Sequence, residues 1–381
     1  MAYYFIYPEK DTTIYSHPYR KDLNTGIVGT LSLDSEKNGI DNDLYYPSRF
    51  LIQFKDSDIT SVIQNKITGG FSASLITYAT EFSQNLPKTQ TIELYPLSQS
   101  WENGTDRYLE HPYNNGVISN GASWLYTDNG TTKTRWETGS GAFTGSFSGS
   151  NGGGGVWFTG SGFEFSQSFD ITQNLDIDLN ITSLIQKYSS SIFASQTYPT
   201  GIPNNGFIIK RTNDVFNNTS NQGSLKYFSL NTHTIFSPTL AIKWDDSSYI
   251  TSSGANILTN GKIQLNISNN KQEYRPAEEY TFRINAREQY PTRTFTTSSN
   301  YLNINYLNSA SYYSIEDYTS KEVIIPFDTE FTKLSADVDG MYFKLDMDGL
   351  QPERYYRLLI RHDNNDGIFI YDDDTFFKVV R

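Results

Sequence analysis

The chain has 381 residues, a formal net charge of −12, no cysteine and four histidines. Acidity on this scale repels phosphate backbones and anionic membrane surfaces, so neither nucleic acid nor membrane is an expected partner. The absence of cysteine excludes disulfides, thiolate metal sites and thiol catalysis, and His17, His111, His233 and His362 are not spaced as metal pairs.

Aromatics are abundant, at 28 Tyr, 24 Phe and 5 Trp, while charged residues reach only 19%. That balance suits pleated, half-buried strands joined by polar turns. The opening MAYYFIYPEKDTTIYS lacks a basic region, an apolar core and a cleavage site; it alternates like a first strand, and no signal peptide is expected. No apolar run reaches membrane-spanning length. Alternating runs follow at SRFLIQF (48–54), FSASLITYAT (71–80), QTIELYPL (90–97), LDIDLNI (175–181), NGFIIKR (205–211) and PTLAIKW (238–244). One stretch, ITSLIQKYSSS (181–191), carries apolar residues at helical spacing and predicts a single short helix.

Residues 245–262 carry little periodicity and predict a domain junction. Strand patterns resume at KIQLNIS (262–268), EEYTFRIN (278–285), MYFKLDM (341–347), RYYRLLIRH (354–362) and GIFIYDDDTFFKVV (367–380). DNNDG (363–367) reads as a hairpin loop. Leu350-Gln-Pro-Glu-Arg-Tyr355 has either the spacing of a tyrosine corner or that of an ordinary turn before a strand Tyr. TFRINAREQYPTRTFTTSSNY (281–301) is a strand and then a polar loop with Arg287 and Arg293. That loop wraps a neighbouring chain or is a plain exposed connection.

The sequence carries no complete catalytic or ligand-binding motif. GSNGGGGVWFTGSG (149–162) has no Lys or Arg after its glycines until Lys187, and its register does not fit a dinucleotide fingerprint. GSFSG (145–149) centres on Phe147 where a nucleophile elbow needs Ser. Asp176 and Asp178 share a strand face, but solvated strands produce such pairs freely. HDNNDG (362–367) lacks the first Asp and the twelfth-position Glu of a calcium loop. No catalytic, cofactor or metal residue is therefore expected. Ten glycines between 139 and 162 accompany Phe143, Phe147, Trp157, Phe158 and Phe163, more anchors than a free linker carries. They predict an extended arm or glycine-lined edge whose aromatics bury against this module or a neighbouring subunit. Trp124, Trp136 and Glu137, in Asn/Gly-rich surroundings, are the candidates for a sugar-stacking platform.

DTTIYS (11–16), SRFLIQFKDSDI (48–59), ASLITYATEF (73–82), IELYPLSQSWENGTD (92–106), LDIDLNITSLIQKY (175–188), PNNGFIIKR (203–211) and LKYFSLNTHTIFSPTLAIKW (225–244) follow one another in an order that resembles the DNRLRE-type β-sandwich module, a relative of carbohydrate-binding modules. The signature Asp-Asn-Arg-Leu-Arg-Glu run is absent, and 107–165 is extra material. YPTRTFTTSSNYL (290–302), FTGSFSGS (143–150) and the acidic, strand-rich tail resemble stretches of virion proteins of large tailed, marine bacteriophages. The two resemblances imply a protein made in the host cytoplasm and carried in the virion, with other virion proteins as partners in an oligomeric particle. The expected architecture is all-β: a jelly-roll-like sandwich over 1–246 with an insertion at about 107–165, a linker at 247–262, and an immunoglobulin/fibronectin-III-like sandwich over 263–381. The expected function is non-enzymatic and structural, with contacts through Phe143, Phe147, Trp157, Phe158, Phe163, Arg287 and Arg293. The alternative is recognition of a host-surface glycan through Trp124, Trp136 and Glu137.

Overall fold

A computed structural model describes residues 2–37, 44–67, 69–107, 120–130, 133–136, 144–146, 153–188, 201–212, 214, 218–259, 262–291 and 304–381. The fold is all-β, with two α-helices among the described residues, Asp56–Asn65 and Thr182–Ile185. The chain divides into two compact units. One is Ile6–Lys66 with Ser72–Ala241; the other is Met1–Phe5, Ile67–Phe71 and Ile242–Arg381.

The first unit is built on an eight-stranded sheet. Its order is Phe165–Asp170, Thr89–Pro96, Phe207–Arg211, Tyr45–Phe54, Thr30–Lys37, Ser224–Phe228 and Ala79–Phe82, with Pro8–Tyr15 also paired to Tyr45–Phe54. In a second sheet, Phe71–Thr77 lies between Thr239–Trp244 and Ile177–Asn180. The strand Tyr45–Phe54 is buried along nearly its whole length, on both faces. Successive side chains of a strand point to opposite faces, so Phe50, Ile52 and Phe54 share one face and Arg49 and Leu51 the other. Ile14 stands opposite Arg49 and Ile208 opposite Leu51, placing both on that second face.

Sequence alternation missed the helix Asp56–Asn65 because SRFLIQFKDSDI reads as one strand-like segment. The strand stops at Phe54, and Ile59, Val62 and Ile63 then bury at helical spacing, with Asp56 and Asp58 in the first turn. The predicted short helix at 181–191 is present as Thr182–Ile185, burying Leu184 and Ile185.

In the second unit one sheet runs Ile263–Ile267, Glu279–Glu288, Gly340–Asp346, Ser335–Asp337. The other runs Glu273–Tyr274, Phe376–Val379, Arg354–Asn364, Ser311–Asp317, Val323–Ile325, with Gly367–Tyr371 also paired to Arg354–Asn364. These are the ABED and GFC pairings of an immunoglobulin-type sandwich. Its core is a stack of rings: Tyr313 lies 4.3 Å from Phe343, Phe343 5.1 Å from Phe282, and Phe282 5.6 Å from Phe377. The stretch expected to be a linker is instead tied into this unit. Asn256–Leu258 pairs with Asn305–Leu307, and Ser248 and Ile250 exchange backbone hydrogen bonds with Ala336.

A tyrosine corner closes the entry to Arg354–Asn364, one residue later than the expected Tyr355. The Tyr356 hydroxyl donates to the Gln351 carbonyl at 2.8 Å, while Tyr355 is exposed. Alternation decides between them, because Tyr356, Leu358, Ile360 and His362 form the inward face.

Candidate functional site

Two surfaces carry the residues of interest, one in each unit. In the first unit, the outer face of the eight-stranded sheet would leave Ile14, Leu51 and Ile208 in water. It is covered instead by Trp101, Ala122, Trp124, Trp136, Val156 and Trp157. Arg49 sits in the middle of this second core. Its Nε and Nη2 donate to Asp214 at 2.5 and 3.2 Å, and its Nη1 donates to the Gly154 carbonyl at 2.5 Å. The guanidinium lies 4.8 Å from the Trp124 ring and 5.2 Å from that of Trp157. Both partners of the ion pair are buried, and burial pushes the Asp214 carboxyl up while Arg49 pulls it back.

The glycines make this approach possible. Gly153, Gly154 and Gly155 adopt φ of 102°, 87° and 89°. A Cβ at Gly154 would stand 2.8 Å from both Arg49 Nη1 and Trp124 Cζ2. The backbone there takes the place of a side chain against the guanidinium.

Trp157 is buried in its own unit, and Phe158 and Phe163 are half-buried and stacked at 5.8 Å, with Lys187 Nζ 4.1 Å from the Phe163 ring. The sugar platform expected at Trp124 and Trp136 does not form. The rings are 2% and 5% exposed, and Trp136 Nε1 donates to the Ser123 carbonyl. Polar neighbours in sequence had suggested exposure, but these tryptophans cover a sheet face. Arg287 is exposed on its strand and donates to Gln264 Oε1 at 2.5 Å. Phe143, Phe147, Glu137 and Arg293 lie outside the described residues. Asp176, considered for a carboxylate pair, accepts from the Ala79 amide at 2.7 Å and acts as a structural brace.

The second surface escaped the sequence reading. The predicted DNNDG hairpin forms, with Asn364 paired to Gly367 across Asn365 and Asp366. Its return strand, Gly367–Tyr371, exposes Ile368 at 64%, Phe369 at 38% and Ile370 at 59%. The signal was four consecutive apolar residues without alternation, directly before Asp372-Asp373-Asp374.

No group of His, Asp or Glu among the described residues could hold a metal ion, and no helix among them is long and apolar enough to cross a membrane. Comparison with protein-family models finds no match, and comparison with curated proteins finds none.

Proposed function

We propose that the chain is a non-enzymatic structural component of a bacteriophage virion, at the neck, tail, baseplate, fibre or capsid surface, joined to its neighbours through β-sandwich modules. One observation carries the assembly role. The strand Gly367–Tyr371 holds exposed Ile368 and Ile370 at a sheet edge with no Lys or Pro within it to discourage pairing. Natural sheets protect such edges, and an unprotected apolar one marks a contact. The virion setting rests on the sequence resemblances to DNRLRE-type modules and tailed-phage proteins. Glycan recognition is the weaker reading, because Trp124 and Trp136 spend their ring faces inside the first unit. Mass spectrometry of purified particles is expected to find the chain at stoichiometric copy number, with cryo-EM placing it. Recovery from lysate alone, never from particles, would overturn the proposal.

A further inference from the structure

The hairpin's hydrogen-bond phase fixes which groups of the exposed strand are open. Asp363 donates its amide to Ala310, away from the hairpin, whereas Leu358 donates to Thr375 on the hairpin side. Even-numbered residues of Arg354–Asn364 therefore face the return strand. Their partners are Gly367, Phe369 and Tyr371, opposite Asn364, His362 and Ile360. Alternation along an antiparallel pair then turns the N–H and C=O groups of Ile368 and Ile370 outward. No strand pairs with that edge among the described residues.

Charge says what fits there. Asp366 stands at one end of the strand and Asp372, Asp373 and Asp374 at the other. Asp372 is paired with Arg357. Asp373 rims a groove of about 320 Å³ that also holds Gln264, Asn266, Asn285 and Arg287, the last engaged by Gln264. A second copy paired antiparallel would bring the Asp366 end against the other copy's aspartates, and a parallel copy would set each acid beside itself. Like charges on facing strands oppose pairing.

We propose that Gly367–Tyr371 takes up an extended segment of a different protein as an added strand, through the outward groups of Ile368 and Ile370. That segment has an apolar, alternating centre flanked by Lys or Arg. This deepens, and rests on, the assembly role proposed above. Main-chain pairing supplies affinity in such strand addition, and the flanking charges select the partner.

The test uses the full chain and two fluorescent peptides, Lys-Lys-Thr-Val-Thr-Val-Thr-Lys-Lys and the same sequence with Glu for Lys. The lysine peptide is expected to bind about tenfold tighter than its glutamate twin. Ile370→Pro removes an outward donor and spares the hairpin ladder, and it should weaken the lysine peptide about tenfold. Should Ile370→Pro fail to melt cooperatively, the double variant Ile368→Thr, Ile370→Thr carries the test with the same expected direction. Asp373→Asn with Asp374→Asn should weaken the lysine peptide about threefold and leave the glutamate peptide no weaker. Equal binding of the two peptides, binding of neither, or binding untouched by Ile370→Pro overturns the inference. So does a dimer of the full chain, seen by sedimentation, that Ile370→Pro abolishes, since the edge then belongs to a second copy. Particle mass spectrometry separates the two levels. A chain present in virions with no peptide preference defeats this inference alone, and a chain absent from virions defeats the proposed function whatever the peptides do.

Discussion

Two apolar surfaces of this molecule meet opposite ends. The outer face of the eight-stranded sheet, with Ile14, Leu51 and Ile208, is sealed by Trp101, Trp124, Val156 and Trp157 from the same unit. The strand Gly367–Tyr371 leaves Ile368 and Ile370 in solvent. The difference lies in the backbone available nearby. Beside the first surface, Gly153, Gly154 and Gly155 hold positive φ and let main chain and tryptophan lie close on the sheet. Beside the second stand a two-residue turn and three consecutive aspartates, which offer nothing apolar to fold back. Richness in aromatics is thus a poor guide to where a surface binds, because the tryptophans do the covering and the most exposed side chains of the bare strand are Ile368 and Ile370.

The largest expected effect comes from the ion pair under the sealed face. Arg49→Met leaves Asp214 buried without its cation and should cost about 3–5 kcal/mol in urea unfolding followed by tryptophan fluorescence. Adding Asp214→Leu should restore most of that loss. A cost below about 1 kcal/mol would mean the seal does not depend on the pair.

The second effect is one of pH. Burial raises the Asp11 carboxyl, which among the described residues accepts from the Leu230 amide alone, from 3.8 to about 7. Between those values the folded chain holds a proton that the unfolded chain has lost. The contribution is therefore full below about 4 and disappears as pH rises through 7, a change of about 4 kcal/mol at most. Asp11→Asn should flatten the first unit's melting temperature across that window, and an unchanged slope would refute the assignment. In the second unit burial lowers His362, whose ring nitrogens have no hydrogen-bond partner among the described residues. Its contribution runs the other way: it is lost as pH falls below the ordinary histidine value, because the unfolded imidazole takes up the proton.

A third, smaller effect separates crowding from backbone strain along the glycines. Gly154→Ala, forced against Arg49 and Trp124, should cost about 2–3 kcal/mol. Gly160→Ala, at φ 110° with nothing within 4 Å of its Cβ, should cost only the conformational part, about 1 kcal/mol. Equal losses would show that contact with Arg49 adds nothing. The smallest effect distinguishes neighbours: Tyr356→Phe should lose about 1 kcal/mol of thermal stability and Tyr355→Phe close to none.

Alternation along the chain made the all-β class and most strands legible, and the turn residues of DNNDG marked the hairpin. What escaped did so for several reasons, the first being that no sequence mark shows which sheet face is covered. Asn and Gly around Trp124 and Trp136 suggested exposure, yet those residues sit where an insertion crosses a sheet. Arg49 and Asp214 lie 165 positions apart, so no local spacing announces their pairing. Tyr355 and Tyr356 are adjacent, and only the phase set by Leu358 and Ile360 separates them. In Asp56–Asn65 the helical spacing of Ile59, Val62 and Ile63 was hidden by the strand that runs directly into it.

The ring stack of the second unit has a consequence for redox environment. Antibody domains clamp their two sheets with a disulfide. Here Phe282 and Phe343 of one sheet pack against Tyr313 and Phe377 of the other, in a chain without cysteine. The joint between the sheets therefore holds no bond that a reductant can open. Folding of this sandwich therefore requires no oxidative step.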